Sequence, residues 1–112
     1  MTLSEEQLIE LVEGCKNGIR HSQKQLYSCF YGYALSICLR YTQNGQEARE
    51  VVNDGFLKIF MQLPKFESKP GQWVISFSAW AKNIMIYTAI DHFRTHKKHH
   101  HHTSIEAYVS VS

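Results

Sequence analysis

The stretch Ala48–Phe60, AREVVNDGFLKIF, constrains the fold more than any other part of the chain. Apolar residues fall at Ala48, Val51, Val52, Phe56, Ile59 and Phe60, the spacing of one helical face. The opposite face carries Glu50, Asn53, Asp54 and Lys58. Asn44-Gly45 precedes the stretch as a turn and Pro64 follows it as a stop. The spacing predicts a helix from about residue 46 to 63. Its apolar side needs a core, and its acidic-polar side faces water or a partner.

Three further helices are expected around it. Ser4 and Gln7 have the spacing of a capping box ahead of Leu8, Ile9, Leu11, Val12 and Cys15, a short helix ending near Asn17-Gly18. Ser22 and Gln25 have the same spacing and predict the start of a second helix. Leu26, Phe30, Tyr33, Ile37 and Tyr41 carry its apolar face to about Thr42. Residues 64–76 hold both prolines and a glycine and read as a loop. A fourth helix is expected from about Ser76 to His96. It is apolar nearly all round, which marks a central helix or one with a face kept for a partner. No alternating β-branched stretch bounded by turns predicts a strand. The expected fold is all-α: a compact bundle of four helices over residues 1–98, followed by a polar tail, 99–112.

Composition excludes several functions. No apolar run reaches the length that spans a bilayer, and MTLSEEQL lacks the layout of a signal peptide. Cytoplasmic location is the expectation, with no membrane partner. The net charge of +2 is unevenly placed. Residues 1–13 carry four glutamates and no base, whereas residues 82–98 carry Lys82, Arg94, Lys97 and Lys98 against Asp91 alone. A basic C-terminal segment points to an anionic partner. Cys15, Cys29 and Cys38 include no CxxC pair, and all three read as reduced, buried small hydrophobes. No phosphate-binding loop, nucleophile elbow or HExxH motif is present, so no catalysis and no cofactor are expected. Asp91 and His92 are adjacent on a helix and diverge by about 100°, poorly placed to share one substrate.

Two ordered motifs then define a resemblance. ALSICLRYTQNGQEAREVVNDGFLKIF and FSAWAKNIMIYTAIDHFRTHKK resemble region 2 of sigma-70-type transcription initiation factors, most of all the extracytoplasmic-function group. In the first motif Ala48, Glu50, Val52, Asp54, Phe56, Leu57 and Lys58 match in kind, with Phe60 as the aromatic. In the second Phe77, Trp80, Ile84, Ala89, Ile90, Asp91 and Arg94 match, and Lys97 and Lys98 form the basic end. Arg49 and Asn53 depart from the usual acid and glutamine, and Ala81 from a leucine. Tyr87 replaces the asparagine that in the family helps hold a flipped promoter base. The loop between Phe66 and Phe77 is longer and carries Trp73. The helix-turn-helix of region 4 does not follow, so the chain reads as a piece ending in the interdomain linker.

The resemblance implies roles. Glu50, Asn53, Asp54 and Lys58 would dock on the β′ clamp helices of core RNA polymerase. The loop and fourth helix would engage the promoter −10 element and hold the opened strand. Opening a duplex requires π-faces in place of lost stacking and cations along the phosphates. Trp73, Trp80 and Tyr87 supply the first in this reading. Arg40, Lys69, Lys82, Arg94, Lys97 and Lys98 supply the second. An anti-sigma factor is a further implied partner. The alternative is a helical interaction or regulatory module that keeps the fold without opening promoters.

His92 and His96 are one helical turn apart, and His99–His102 form a run. Such spacing captures zinc or nickel in vitro, but no cysteine or acidic ligand completes a closed tetrahedral set, so no metal is expected. A chelator should therefore leave the melting temperature unchanged, because only a metal bound to the native state stabilises it by mass action. A drop of many degrees in a thermal scan would reveal a structural metal.

Overall fold

The computed structural model describes the backbone of residues 3–106 and the side chains of residues 3–95. Four helices follow in order: α1 (Glu5–Lys16), α2 (Arg20–Leu39), α3 (Gly45–Gln62) and α4 (Trp73–Glu106), with a 3-10 turn at Leu63–Lys65. The described residues contain helices and no strand. None of these helices is long and apolar enough to cross a membrane.

The helix ends have identifiable causes. Ser4 caps α1 as its sequence predicts: the Gln7 amide donates to Ser4 Oγ at 3.1 Å, and the Ser4 amide donates to Gln7 Oε1 at 3.0 Å. At the other end Gly18 takes a left-handed φ of 75°. Its amide donates to the Cys15 carbonyl and the Ile19 amide to the Gly14 carbonyl, the paired closure of a Schellman turn. The chain turns so tightly there that α2 restarts at Arg20, with Ile19 as its N-cap and no side-chain cap. The capping box expected at Ser22 is thus displaced: Ser22 already sits in the first turn, its hydroxyl against Gly14 of α1. The far end of α2 comes at Leu39, before the expected Thr42, whose hydroxyl turns back to the Cys38 carbonyl at 2.9 Å. Asn44 caps α3 by accepting the Glu47 amide at 2.8 Å.

Larger differences concern α4. It begins at Trp73, three residues before the expected Ser76, and continues through Glu106 beyond the expected His96. The early start follows a turn at Lys69–Gln72, closed by the Gln72 amide on the Lys69 carbonyl at 3.1 Å. Gly71 there has φ 83°, as position three of a type II turn requires. The late end reflects sequence: no proline or glycine occurs after Gly71 to stop the helix.

Helix α4 touches all three others. Phe77, Ala81, Met85 and Ala89 form its buried line. Contacts of Phe30 with Phe77 and Cys38 with Met85 show that α2 runs parallel to α4. Contacts of Gly55 with Met85 and of Glu47 and Glu50 with His92 show that α3 runs antiparallel to it. At Gly55 an added methyl would overlap the Met85 sulfur, so glycine lets these helices close together. Thr88, the buried polar side chain on α4, donates to the Ile84 carbonyl at 2.6 Å.

Cys15 and Cys38 are buried as expected, and burial pushes each thiol up to about 11. Cys29 is not: it lies on the exposed side of α2, nine residues and half a circle from Cys38. Thiolates are the reactive form. A native sample should therefore react at one cysteine with a thiol-specific disulfide reagent at neutral pH, and at three after denaturation. Three fast thiols in the native state would contradict this packing.

Candidate functional site

Among the described residues, most of the expected site side chains fall on α3 and α4. On α3, Glu50, Asp54, Leu57 and Met61 follow one another at steps of four, three and four, so they form one outward stripe. Glu50 and Asp54 are exposed, and Leu57 and Met61 are 63% and 78% exposed. The polar residues expected on this face do not all share it. Asn53 leans toward α2, where its Oδ1 accepts the Tyr27 hydroxyl at 2.9 Å. The Tyr27 ring lies 4.7 Å from Phe56 and 5.3 Å from Tyr31. Burial, with the neighbouring Tyr31 second, raises the Tyr27 phenol above its ordinary value and keeps it a donor. Lys58 leans the other way, toward α4, with its Nζ 3.9 Å from Asp91 Oδ2.

Between α3 and α4 runs a shallow groove of about 440 Å³, bordered by Asp54, Leu57 and Lys58 on one side and Thr88, Asp91 and Thr95 on the other. At its end His92 Nε2 stands 3.9 Å from Glu47 Oε2 and 4.0 Å from Glu50 Oε1. The acids near His92 thus come from another helix, which spacing along α4 does not show. Among the described residues no group of three or more histidine, cysteine or acidic side chains is arranged to hold a metal. The His96 and His99–His102 side chains lie outside the described residues.

The second surface belongs to α4. Trp73, Trp80, Tyr87 and Arg94 recur every seventh residue, so they climb one side of the helix at steps of about 10 Å. Trp73 was expected in the loop; it stands in the first turn of the helix instead. Trp73 and Trp80 are half-buried, both leaning on Phe66, at ring-centre distances of 5.6 and 4.9 Å. Phe66 also meets Phe77 edge-on at 5.5 Å. Each tryptophan therefore packs with one edge and shows the other to solvent. Tyr87 is 65% exposed, and Arg94 is exposed.

The remaining cations are dispersed. Lys82 is exposed but lies about 200° round α4 from Trp80, away from the aromatic stripe. Arg40 is exposed at the C-cap of α2. Lys69 is exposed in the loop that leads into α4. The Lys97 and Lys98 side chains lie outside the described residues. Leu57 and Met61 were absent from the expected site. Their signal was in the sequence, since both fall off the apolar face set by Val52, Phe56 and Ile59.

The sequence model of the Sigma-70 region 2 family matches residues 26–99. The chain belongs to this family. Region 2 is a non-enzymatic domain, and the outward stripes are accordingly surfaces rather than reaction centres. The RNA polymerase sigma factor SigA of Clostridium acetobutylicum is 31% identical over 94 residues, which cover 83% of this chain and 25% of that protein. The chain therefore spans about a quarter of the length of this curated relative. No solved structure matches this chain. The matched segment begins inside α2, holds all of α3, the loop after it and α4 as far as residue 99, and α1 lies before it.

The aromatic cluster generates a stability prediction. Phe66 is buried and supports both tryptophans. Phe66→Ala should lower unfolding free energy by about 3–5 kcal/mol, the usual loss for a buried phenylalanine. Urea titration followed by tryptophan fluorescence measures it directly. A loss under about 1 kcal/mol would mean that the cluster does not hold the loop.

Proposed function

We propose that this chain is the region 2 domain of a sigma factor of the extracytoplasmic-function group, which docks on core RNA polymerase and engages the promoter −10 element. The observation that best supports docking is the outward stripe of α3. Glu50 and Asp54 are followed there by Leu57 and Met61, two large apolar side chains left in water without a core role. Exposed apolar residues flanked by charge suit a protein partner, and methionine is enriched at such contacts. The β′ clamp helices are the partner implied by family. Asn53 and Lys58 border this stripe rather than centre it.

The α4 stripe supports the nucleic-acid role. Trp73, Trp80 and Tyr87 offer ring surface for unstacked bases, and Arg94 extends the same line with a cation. Lys69, exposed in the loop that leads into α4, and Arg40 and Lys82 on other sides of the domain would serve phosphates. Lys97 and Lys98, further along α4, add two cations to this reading. Tyr87 has no amide with which to read a base edge, so base choice falls to the loop between Phe66 and Trp73. Residues 1–98 act as the domain and 99–112 begin the linker to a further region. Core polymerase as partner places the protein in the cytoplasm, and an anti-sigma factor would compete for the exposed stripes.

The double variant Glu50→Lys, Asp54→Lys should abolish co-purification with core RNA polymerase while circular dichroism stays unchanged, because exposed charges contribute little to stability. Leu57→Glu should weaken the same association. If the folded double variant still binds as well as the parent, α3 is not the docking surface. If the parent binds polymerase yet opens no promoter, the chain is an interaction module with the fold of region 2.

A further inference from the structure

We propose that Glu5, on the first turn of α1, is a positioning residue for base reading by the loop between α3 and α4. This inference rests on the function proposed above. Its origin is a pair of contacts that join α1 to both ends of that loop. Glu5 Oε2 accepts the Gly71 amide at 2.8 Å, and Glu5 Oε1 accepts the Trp73 amide at 3.3 Å. At the other end Lys16 Nζ donates to the Phe66 carbonyl at 2.8 Å. Glu5 and Lys16 are eleven residues apart on α1, so they share one side of it at a separation of about 16 Å.

The physical case starts from the loop itself. Residues 67–72 have no buried side chain, and their internal backbone bond is the turn closed by Gln72 on Lys69. A segment held so lightly samples many shapes unless something else fixes it. Glu5 does so with two bonds, of which the one to the Gly71 amide at 2.8 Å has the length of a charge-assisted bond and the one to the Trp73 amide at 3.3 Å is longer. Its carboxylate also stands at two helix N-termini at once, its own and that of α4, where negative charge is favoured. The left-handed φ of Gly71 aims that amide toward the carboxylate. A loop fixed before binding loses less freedom when it receives a base, so its selectivity depends on the anchor. Removing Glu5 leaves Trp73 packed on Phe66 but frees the turn at Pro70-Gly71.

The test uses the full chain assembled with core RNA polymerase and promoters carrying each base at every −10 position. Glu5→Gln keeps side-chain length but turns one oxygen into a donor facing an N–H. It should flatten the base preference at the position read by the loop at least five-fold, with polymerase affinity unchanged. Lys16→Met should flatten the same position. Val12→Ala, a core variant remote from the loop, should lower the melting temperature while keeping the preference ratio. Glu5→Asp should restore part of it. In the free protein, amide hydrogen exchange at Gly71 and Trp73 should accelerate in Glu5→Gln at least ten-fold. An unchanged preference pattern in Glu5→Gln, with those amides exchanging fast, would overturn the inference and leave the loop a passive connector. Equal flattening by Val12→Ala would overturn it too, since general stability would then be the cause. A parent chain that opens no promoter would instead remove the function on which the inference rests.

Discussion

Met85 is where three helices meet, and the arrangement of the rest depends on it. Its sulfur touches Gly55 of α3 and lies 4.0 Å from the Cys38 sulfur of α2. Methionine is unbranched and fits irregular gaps, and the missing side chain at Gly55 gives it one. That close approach brings Glu47 and Glu50 beside His92 and Lys58 beside Asp91. It also turns Val51, Val52, Phe56 and Ile59 fully inward, which leaves Glu50, Asp54, Leu57 and Met61 as the surface. The exposed stripe of α3 is thus a geometric remainder of the packing at Met85.

Helix α4 carries two separate lines of side chains. Its buried line of Phe77, Ala81, Met85 and Ala89 closes the core. Its seven-residue line of Trp73, Trp80, Tyr87 and Arg94 runs past that core along a separate side. The tryptophans straddle both worlds, because Phe66 supports one edge of each. A rigid ring needs little ordering when a partner arrives, so in the proposed nucleic-acid role partial burial would make a better stacking platform than full exposure. The apolar character of α4 all round thus has two sources, the buried line and the tryptophans half-buried against Phe66.

Much of this was legible in sequence, and the misses share a cause. The Ser4–Gln7 cap, the inward face of α3 and the centrality of α4 follow from local spacing, and the structure has them. Ser22 carries the same local signal as Ser4, yet the Schellman closure at Gly18 starts α2 before it. Trp73 reads as loop because Pro70 and Gly71 stand just ahead, but a carboxylate 68 residues away satisfies its amide. Cys29 reads as a buried hydrophobe by type alone, although its half-circle offset from Cys38 already put one of the two outside. Glu47 and Glu50 meet His92 only through the antiparallel pairing of α3 and α4. Local rules find helices and faces; they do not find partners supplied by another helix.

The segment shared with the family begins at residue 26, inside α2. A fragment cut there loses Leu8 and Val12, both fully buried, together with the first turns of α2. The walls of α2 and α4 that these residues cover would meet water, and Phe66 would lose the ammonium on its carbonyl. The stretch by which the family is recognised is therefore smaller than the unit that closes its own core. Any shortened version meant for crystals or display has to begin ahead of Ser4, where the first cap is formed.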